Sequence, residues 1–319
     1  MNQQIILVLR NLYKQYNADP SLKFKSRALN NALREIKNHT EEITSGDYAI
    51  KNIKGIGKGI AKRIDEILKT GTLTELKANN SNISSIDELL TVTGIGPTRA
   101  KQLVKEGITN VQDLIQQVND GKIKVTHHIK LGLQYYVDLK HRIPREEISN
   151  MKKVLQKQIK SIDSNLIFEI CGSYRRGVKT SGDIDLLVSN PKYVNNISKQ
   201  KYLQKIVKKL KETGFIIDSL TSDGAKKYMG ICKIESSPYG RRIDIRCVDY
   251  SAYYTGLLYF TGSKNFNIII RNKALELGYS LNEYSLTNKE DEKKIILKSE
   301  KELFDILHID YVKPTDRDL

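Results

Sequence analysis

Two aspartates one residue apart, Asp183 and Asp185, sit in the run GDIDLLV, whose other residues after Gly182 are apolar. In an extended strand successive side chains alternate faces, so Ile184, Leu186 and Val188 can enter a core while the two carboxylates project together on the opposite face. Two like charges so close repel. A divalent cation between them removes that repulsion, and Mg²⁺ keeps its remaining positions for water or phosphate. The run RRIDIRCV (241–248) repeats the device: Ile243 and Ile245 share one face, and Arg242, Asp244 and Arg246 share the other. Three carboxylates on neighbouring strands can hold two ions about 3.5–4 Å apart, the arrangement that clamps the attacking and leaving oxygens of an in-line phosphoryl displacement.

The segment GSYRRG (172–177) precedes the first pair. Gly172 and Ser173 open a turn that can present a backbone N–H and a hydroxyl, and Arg175 and Arg176 offer planar forks suited to phosphate oxygens. These parts together predict nucleotidyl transfer, since phosphate binding alone does not require a third carboxylate. A solvated sheet face with incidental ion pairs would account for GDID by itself, but not for the set.

The elements that must position these residues follow from periodicity. Residues 1 to 78 read as helices, with apolar spacing at Ile5, Leu9, Leu12 and at Leu29, Leu33, Ile36. The polar stretch KANNSNISS (77–85) reads as a loop before a second helical region that ends near residue 141. Strand-like runs begin only at NLIFEI (165–170), continue in DIDLLV, KYMGICKI and RRIDIRCV, and are interleaved with an amphipathic helix over 199–213 closed by Gly214. Helices first and mixed elements later predict a multidomain α+β chain.

One pattern occurs twice. IKGIGKGIAKRIDEIL (53–68) and VTGIGPTRAKQLVKEG (92–107) each carry hydrophobic-x-Gly-Ile-Gly before a helix start, with Gly55, Gly57, Gly94 and Gly96 as the glycines. Such a turn aims backbone N–H groups at a phosphate oxygen and lets a DNA backbone approach closely. With Lys58, Lys62, Arg63, Thr98, Arg99 and Lys101 following, the pair reads as two phosphate-gripping helix-hairpin-helix motifs without base readout.

The whole chain agrees with a polyanionic partner. Its 319 residues include 53 Lys and Arg against 37 Asp and Glu, a formal net charge of +16. No apolar run reaches membrane-spanning length and no signal-peptide pattern opens the sequence. Cys171, Cys232 and Cys247 lack metal-ligand spacing, so the expectation is an intracellular, reducing compartment, with nucleus, cytoplasm and virion left open.

At GSYRRG and GDID, followed by RRIDIR, YFTGSKNFNIIIR (259–271) and NEY (282–284), and with HRIPREE (141–147) upstream, the chain resembles the nucleotidyltransferases of DNA polymerase family X over essentially its whole length. The resemblance implies a helical lyase-type domain with the first hairpin (1–78), a helical DNA-binding subdomain with the second (79–141), a palm with a mixed sheet (142–250) and a nucleotide-selecting subdomain (251–319). It implies a monomeric, template-directed DNA polymerase without proofreading, filling short gaps in DNA repair such as base excision repair. Its substrates would be gapped or nicked duplex DNA and dNTPs, with a DNA ligase or other repair proteins as further partners.

Carried over by position, Asp183 and Asp185 bind both Mg²⁺ ions, with Mn²⁺ usable, and Asp244 completes the metal site at the primer end and favours deprotonation of the 3′-hydroxyl. Arg142, Ser173, Arg176 and Gly182 hold the incoming triphosphate. Tyr259 and Phe260 crowd the sugar through a bend at Thr261-Gly262, and Asn267 meets the base edge. Arg242 lies near the primer end; Lys227, Arg271 and Tyr284 contact DNA, and the hairpin loops admit Na⁺ or K⁺. Lys25 and Lys51 form a 5′-phosphate pocket.

Several positions depart from the family pattern. Arg63 stands where a lysine forms the Schiff base of deoxyribose-phosphate lyase chemistry, and a guanidinium cannot lose a proton to do so. Lys58 and Lys62 are weak substitutes, since Lys62 points about 100° round the helix from Arg63. Leu29 replaces a tyrosine and Gly59 a lysine, so retained 5′-phosphate binding with weak or absent lyase activity is expected. Lys264 and Ile268 replace an acidic and a basic residue beside the nascent pair, and the loop TNKEDEKKIIL (287–297) is short for the family. Two other functions compete. A non-catalytic DNA-binding module leaves the three aspartates unexplained. A template-independent transferase sits poorly with Arg271 and the lack of a long insertion after the palm.

Overall fold

The computed structural model describes residues 2–318 except 18–21, 78–79, 223 and 225. It divides into two compact units, Met1–Lys124 and Val125–Leu319.

The first unit is helical: α1 (Gln3–Asn17), α2 (Lys23–Asn38), α3 (Gly46–Asn52), α4 (Lys58–Thr70), α5 (Thr74–Lys77), α6 (Asn80–Leu89), α7 (Pro97–Lys105) and α8 (Val111–Asn119). Its main core joins the apolar stripes of the first five helices, with Leu9, Leu12, Ile36, Ile64 and Leu73 almost fully buried. Each such side chain contributes about 1.5–3 kcal/mol by leaving water. The loop expected over 77–85 is instead helical from Asn80. Ser85 is buried with its hydroxyl donating to the Thr109 carbonyl, and Leu89 is buried, so a polar sequence still has a packed helical side. Residues 78 and 79, where the sequence placed the first boundary, lie outside the described residues.

The second unit opens with α9 (His127–Gln134) and α10 (Tyr136–Lys140), then β1 (Ile143–Pro144) and the long α11 (Arg145–Ile162). There follow β2 (Ile167–Ile170), the single turn α12 (Gly172–Arg175), β3 (Thr180–Ser181), β4 (Ile184–Ser189), α13 (Tyr202–Glu212), β5 (Ile216–Ser219), β6 (Lys227–Cys232) and β7 (Arg241–Cys247). The remainder is α14 (Tyr253–Thr261), α15 (Lys264–Glu276), β8 (Tyr279–Leu281), β9 (Leu286–Asn288), β10 (Lys294–Ile295) and α16 (Glu300–Ile306).

A five-stranded mixed sheet in the order β2-β4-β7-β6-β5 forms the centre of this unit, with β4 and β7 parallel and the other pairs antiparallel. On one face α11 buries Ile148, Met151, Leu155 and Ile159 at helical spacing, and α13 buries Leu203, Ile206, Val207 and Leu210, against Ile184, Leu186, Val188, Ile243 and Ile245. On the other face Leu187 packs with Tyr253 and Leu257 of α14. The GDIDLLV strand is therefore buried on both sides, as a strand with a parallel partner usually is.

The HRIPREE segment is fixed by a buried pair: Arg241 is 3% exposed, its Nε and Nη2 donate to Glu147, and its Nη1 donates to the His141 carbonyl. A third core links α15, α16 and the β8–β10 sheet through Phe266, Ile270, Leu303, Phe304 and Leu307.

Candidate active site

The register of the central strands sets the site. Asp185 on β4 lies directly opposite Asp244 on β7, one strand spacing away, and Asp183 sits in the turn that enters β4. Asp244 is 6% exposed. Arg242, two residues before it and on the same face, pairs with Asp183 at 2.7 Å and with Asp244 at 3.3 Å. Burial first, then the charges of Asp183 and Asp244, push the Asp185 carboxyl up to about 7. Burial also raises Asp244, opposed by the Arg242 and Lys227 charges.

Gly172 brings the GSYRRG turn against this pair. Its φ is +56, and a side chain there would meet the Asp185 carboxylate at 2.8 Å, so the backbone of the turn and the carboxylate are in direct apposition. Ser173 donates its hydroxyl to Ser181 Oγ at 2.8 Å. The two arginines of the turn part company. Arg176 lines the cleft, whereas Arg175 is tied to Glu300 at 2.9 Å and to Thr261 Oγ1 at 2.9 Å. The reading that both forks face phosphate is thus corrected: Arg175 is used up inside the fold.

A cleft of about 580 Å³ is lined by Gly172, Ser173, Arg176, Asp183 and Asp185 on one side. Tyr259 to Lys264, Asn267, Ile268 and Arg271 line the other. Tyr259 and Phe260 are half-buried, lie edge-to-face at 5.0 Å and wall the cleft, and Phe260 also packs against the buried cluster of Leu187, Tyr253 and Leu257. Gly262 bends the chain with φ +68, and Asn267 donates to the Tyr259 carbonyl at 2.8 Å. Arg246 stacks over Phe260 at 4.5 Å and Arg271 over Tyr259 at 4.8 Å. Arg142 is exposed, with its guanidinium on the Thr180 hydroxyl and carbonyl, both at 2.7 Å. Gly182 is exposed beside Asp183. Lys227 and Tyr284 line a second cavity of about 530 Å³ with Arg246 and Lys294.

In the first unit the hairpin glycines fall into two kinds. Gly55 and Gly94 have φ of +84 and +96, which their turns require. Gly57 and Gly96 have ordinary φ and cap α4 and α7 without any side-chain bond to the helix N–H groups. A side chain on either would meet nothing within 4 Å. The fold therefore does not need glycine there.

Thr98 and Arg99 lie on the first turn of α7, where Arg99 bonds Glu106 at 3.3 Å and the Lys124 carbonyl at 3.2 Å. Lys25, Lys51, Lys58 and Lys62 are exposed. Arg63 is locked: it bonds both Glu75 oxygens, Tyr16 Oη at 2.9 Å and the Gly59 carbonyl at 2.9 Å.

Comparison with known proteins matches four segments of the chain. The DNA polymerase beta palm model matches residues 142–250 and the beta thumb model 256–318. A helix-hairpin-helix domain model matches 1–73, and the fingers domain of DNA polymerase lambda matches 87–140. The chain belongs to DNA polymerase family X.

This family X chain is 29% identical over 332 aligned residues to the DNA polymerase lambda of Rattus norvegicus, covering 99% of itself and 56% of that protein. It is 31% identical to the DNA polymerase lambda of Arabidopsis thaliana, covering 98% and 60%. It is 24% identical to the DNA polymerase IV of Saccharomyces cerevisiae (strain ATCC 204508 / S288c), covering 100% and 67%. It spans somewhat over half the length of the two lambda relatives. Its fold is the multidomain α+β arrangement of a hairpin domain followed by fingers, palm and thumb.

Family X enzymes use a divalent metal. With Arg242 between Asp183 and Asp244, no three His, Cys, Asp or Glu side chains among the described residues close on one point. The donor chemistry fits nonetheless: Asp183 and Asp185 line the cleft and Asp244 lies opposite Asp185 on the neighbouring strand, and burial and like charge disfavour the ionised forms of Asp185 and Asp244, a cost a divalent cation would offset.

The sequence reading missed Glu300, Arg317 and Asp318, which lie far along the chain from the arginines they touch. Glu300 joins Arg175 and Arg317, and Asp318 pairs with Arg176. No local pattern announces such pairs.

Proposed function

We propose that the chain is a DNA-directed DNA polymerase that fills short gaps in duplex DNA, transferring nucleotides from dNTPs to a primer 3′-hydroxyl without proofreading. The observation that carries this reading is the in-register pair Asp185–Asp244, with Asp185 in a cleft that also holds Arg176 and the Tyr259–Arg271 wall. The names of the relatives, DNA polymerases lambda and IV, support it. Residues 1–78, 79–141, 142–250 and 251–319 act as the lyase-like, DNA-binding, palm and nucleotide-selecting parts.

Asp183, Asp185 and Asp244 would hold two Mg²⁺ ions, with Mn²⁺ as a substitute, which when bound offset the charge of the triphosphate and of the transferring group. Asp244 favours loss of the proton from the 3′-hydroxyl, and Arg242 keeps that carboxylate oriented. The freed oxygen bonds the α-phosphorus while the bond to pyrophosphate breaks. Arg142, Ser173, Arg176 and Gly182 bind the triphosphate. Tyr259, Phe260 and the bend at Gly262 exclude a ribose 2′-hydroxyl, and Asn267 meets the minor-groove edge of the base. Lys264 and Ile268, both at the cleft, loosen discrimination by attracting triphosphate and packing on bases.

Lys227, Arg271 and Tyr284 contact the DNA strands. Gly55, Gly57, Gly94, Gly96, Thr98 and Arg99 grip phosphates, with Na⁺ or K⁺ at the hairpins, and Lys25 and Lys51 take a 5′-phosphate. Arg63 leaves deoxyribose-phosphate lyase activity weak or absent. The chain acts as a monomer in a reducing intracellular compartment, before a ligase seals the product. Among the described residues no helix is long and apolar enough to cross a membrane.

The test is single-nucleotide addition to a one-nucleotide gap bearing a 5′-phosphate, with each dNTP against each template base. Addition dictated by the template supports the polymerase. Equal addition to an unpaired primer points to a template-independent transferase, and tight binding without addition points to a DNA-binding module.

A further inference from the structure

We propose that Asp318 is a positioning residue for triphosphate binding, holding the Arg176 guanidinium from behind so that its remaining donors serve the phosphates. The inference rests on the polymerase reading above. Arg176 lines the cleft and is 15% exposed. Of its five N–H donors, Nε–H donates to Asp318 Oδ1 at 3.1 Å and one Nη1–H to the Thr261 carbonyl at 2.7 Å. Two bonds to a rigid planar group fix its orientation. Among the described residues Nη2 has no partner, which leaves it for an oxygen ligand.

Asp318 owes its place to its neighbour. Arg317 is fully buried: Nη1 donates to Glu300 at 2.7 Å, and Nε and Nη2 donate to the Val312 carbonyl at 3.0 and 2.8 Å. Its own carbonyl accepts from Ser263 N–H at 3.2 Å, which sets the segment against the Gly262 bend. Glu300 also binds Arg175, the residue before Arg176. One buried carboxylate thus anchors Arg175 and Arg317, and the residues that follow them, Arg176 and Asp318, face each other.

The opposite effect is conceivable on charge alone, because a carboxylate competes with phosphate for a guanidinium. Asp318 is 54% exposed, however, so its charge is screened by water, while the guanidinium it steers is mostly buried. Orientation outweighs repulsion.

The experiment compares the native protein with Asp318→Ala and Asp318→Asn on gapped DNA. It reads KM and kcat for the templated dNTP, and equilibrium binding of a non-hydrolysable α,β-imido dNTP to the protein–DNA complex. Asp318→Ala is expected to raise KM and the analogue's Kd roughly 3- to 10-fold, the scale of a lost charge-assisted hydrogen bond, with kcat and gap affinity unchanged. Asp318→Asn keeps an acceptor for Nε–H and should stay near the native values. Unchanged or tighter nucleotide binding in Asp318→Ala would overturn the inference, as would an Asn variant as weak as the Ala variant. Failure of the native protein to add a templated nucleotide would instead count against the polymerase reading, and the analogue titration would still judge Asp318.

Discussion

Asp185 and Asp244 face one another in register across two parallel strands, with Asp183 in the turn that enters the first and Arg242 bridging Asp183 to Asp244. This is costly as a scaffold. Because the raised Asp185 pKa of about 7 exceeds the unfolded value near 3.9, its ionised form destabilises the fold. The cost is absent below the unfolded pKa and grows as pH rises through the folded one. In chelator, Asp185→Asn should therefore melt higher than the native protein at pH 8, by about 1–3 kcal/mol, and the gain should vanish near pH 4. A variant that melts lower at pH 8 would contradict this electrostatic account.

Glu300 behaves oppositely. Burial alone would raise its pKa, but the hydrogen bonds from Arg175 and Arg317 more than reverse that, leaving it lowered. Its contribution is present above the unfolded carboxylate value, about 4.3, and lost as pH falls through the depressed folded one. Glu300→Ala should cost about 3–5 kcal/mol at pH 7, since it takes the carboxylate from the fully buried Arg317 and the half-buried Arg175. Denaturant melts at pH 7 and pH 3 should show the difference between variant and native protein shrinking in acid.

The Arg63 cluster predicts the fate of lyase chemistry. Borohydride should trap the native protein on an incised abasic site only at background level. Arg63→Lys alone should add little, because Glu75 and Tyr16 would hold the new amine protonated. Arg63→Lys combined with Glu75→Gln frees that amine of its counter-ion and should gain trapping. Efficient trapping of the native protein would refute the loss.

The hairpin glycines separate folding from binding. Gly57→Ala and Gly96→Ala should leave the melting temperature within a degree or two, while weakening affinity for gapped DNA about tenfold at all sequences. Gly55→Ala should lose about 1 kcal/mol of stability because its φ is +84. Native affinity should fall steeply with salt, in proportion to the phosphates contacted. Fluorescence anisotropy across salt concentrations measures both effects.

The candidate-site carboxylates Asp185 and Asp244 were legible in the sequence because strand alternation is a local rule and needed only their neighbours, whereas Asp183, expected on the same strand, lies in the turn before β4. The glycine pattern announced both hairpins for the same reason. Leu187 was less legible. It shares the aspartates' face, yet α14 buries it, and nothing within GDIDLLV says that a helix will cover that side. Arg175 and Arg176 are adjacent and alike, and their fates diverge through partners 125 and 142 residues away. Long-range pairing of this kind is fixed by topology rather than by spacing. The helix at Asn80–Leu89 was hidden by its polar composition and stands on buried contacts at Ser85 and Leu89.

The central claim, that the Asp185–Asp244 face performs nucleotidyl transfer, is tested most directly by single-turnover filling of a one-nucleotide gap by the native protein and Asp244→Ala. The account predicts templated addition by the native protein and a loss of roughly 10³-fold or more in the variant, with gap affinity retained. Addition by the variant at near-native rate would place the chemistry elsewhere and contradict the account.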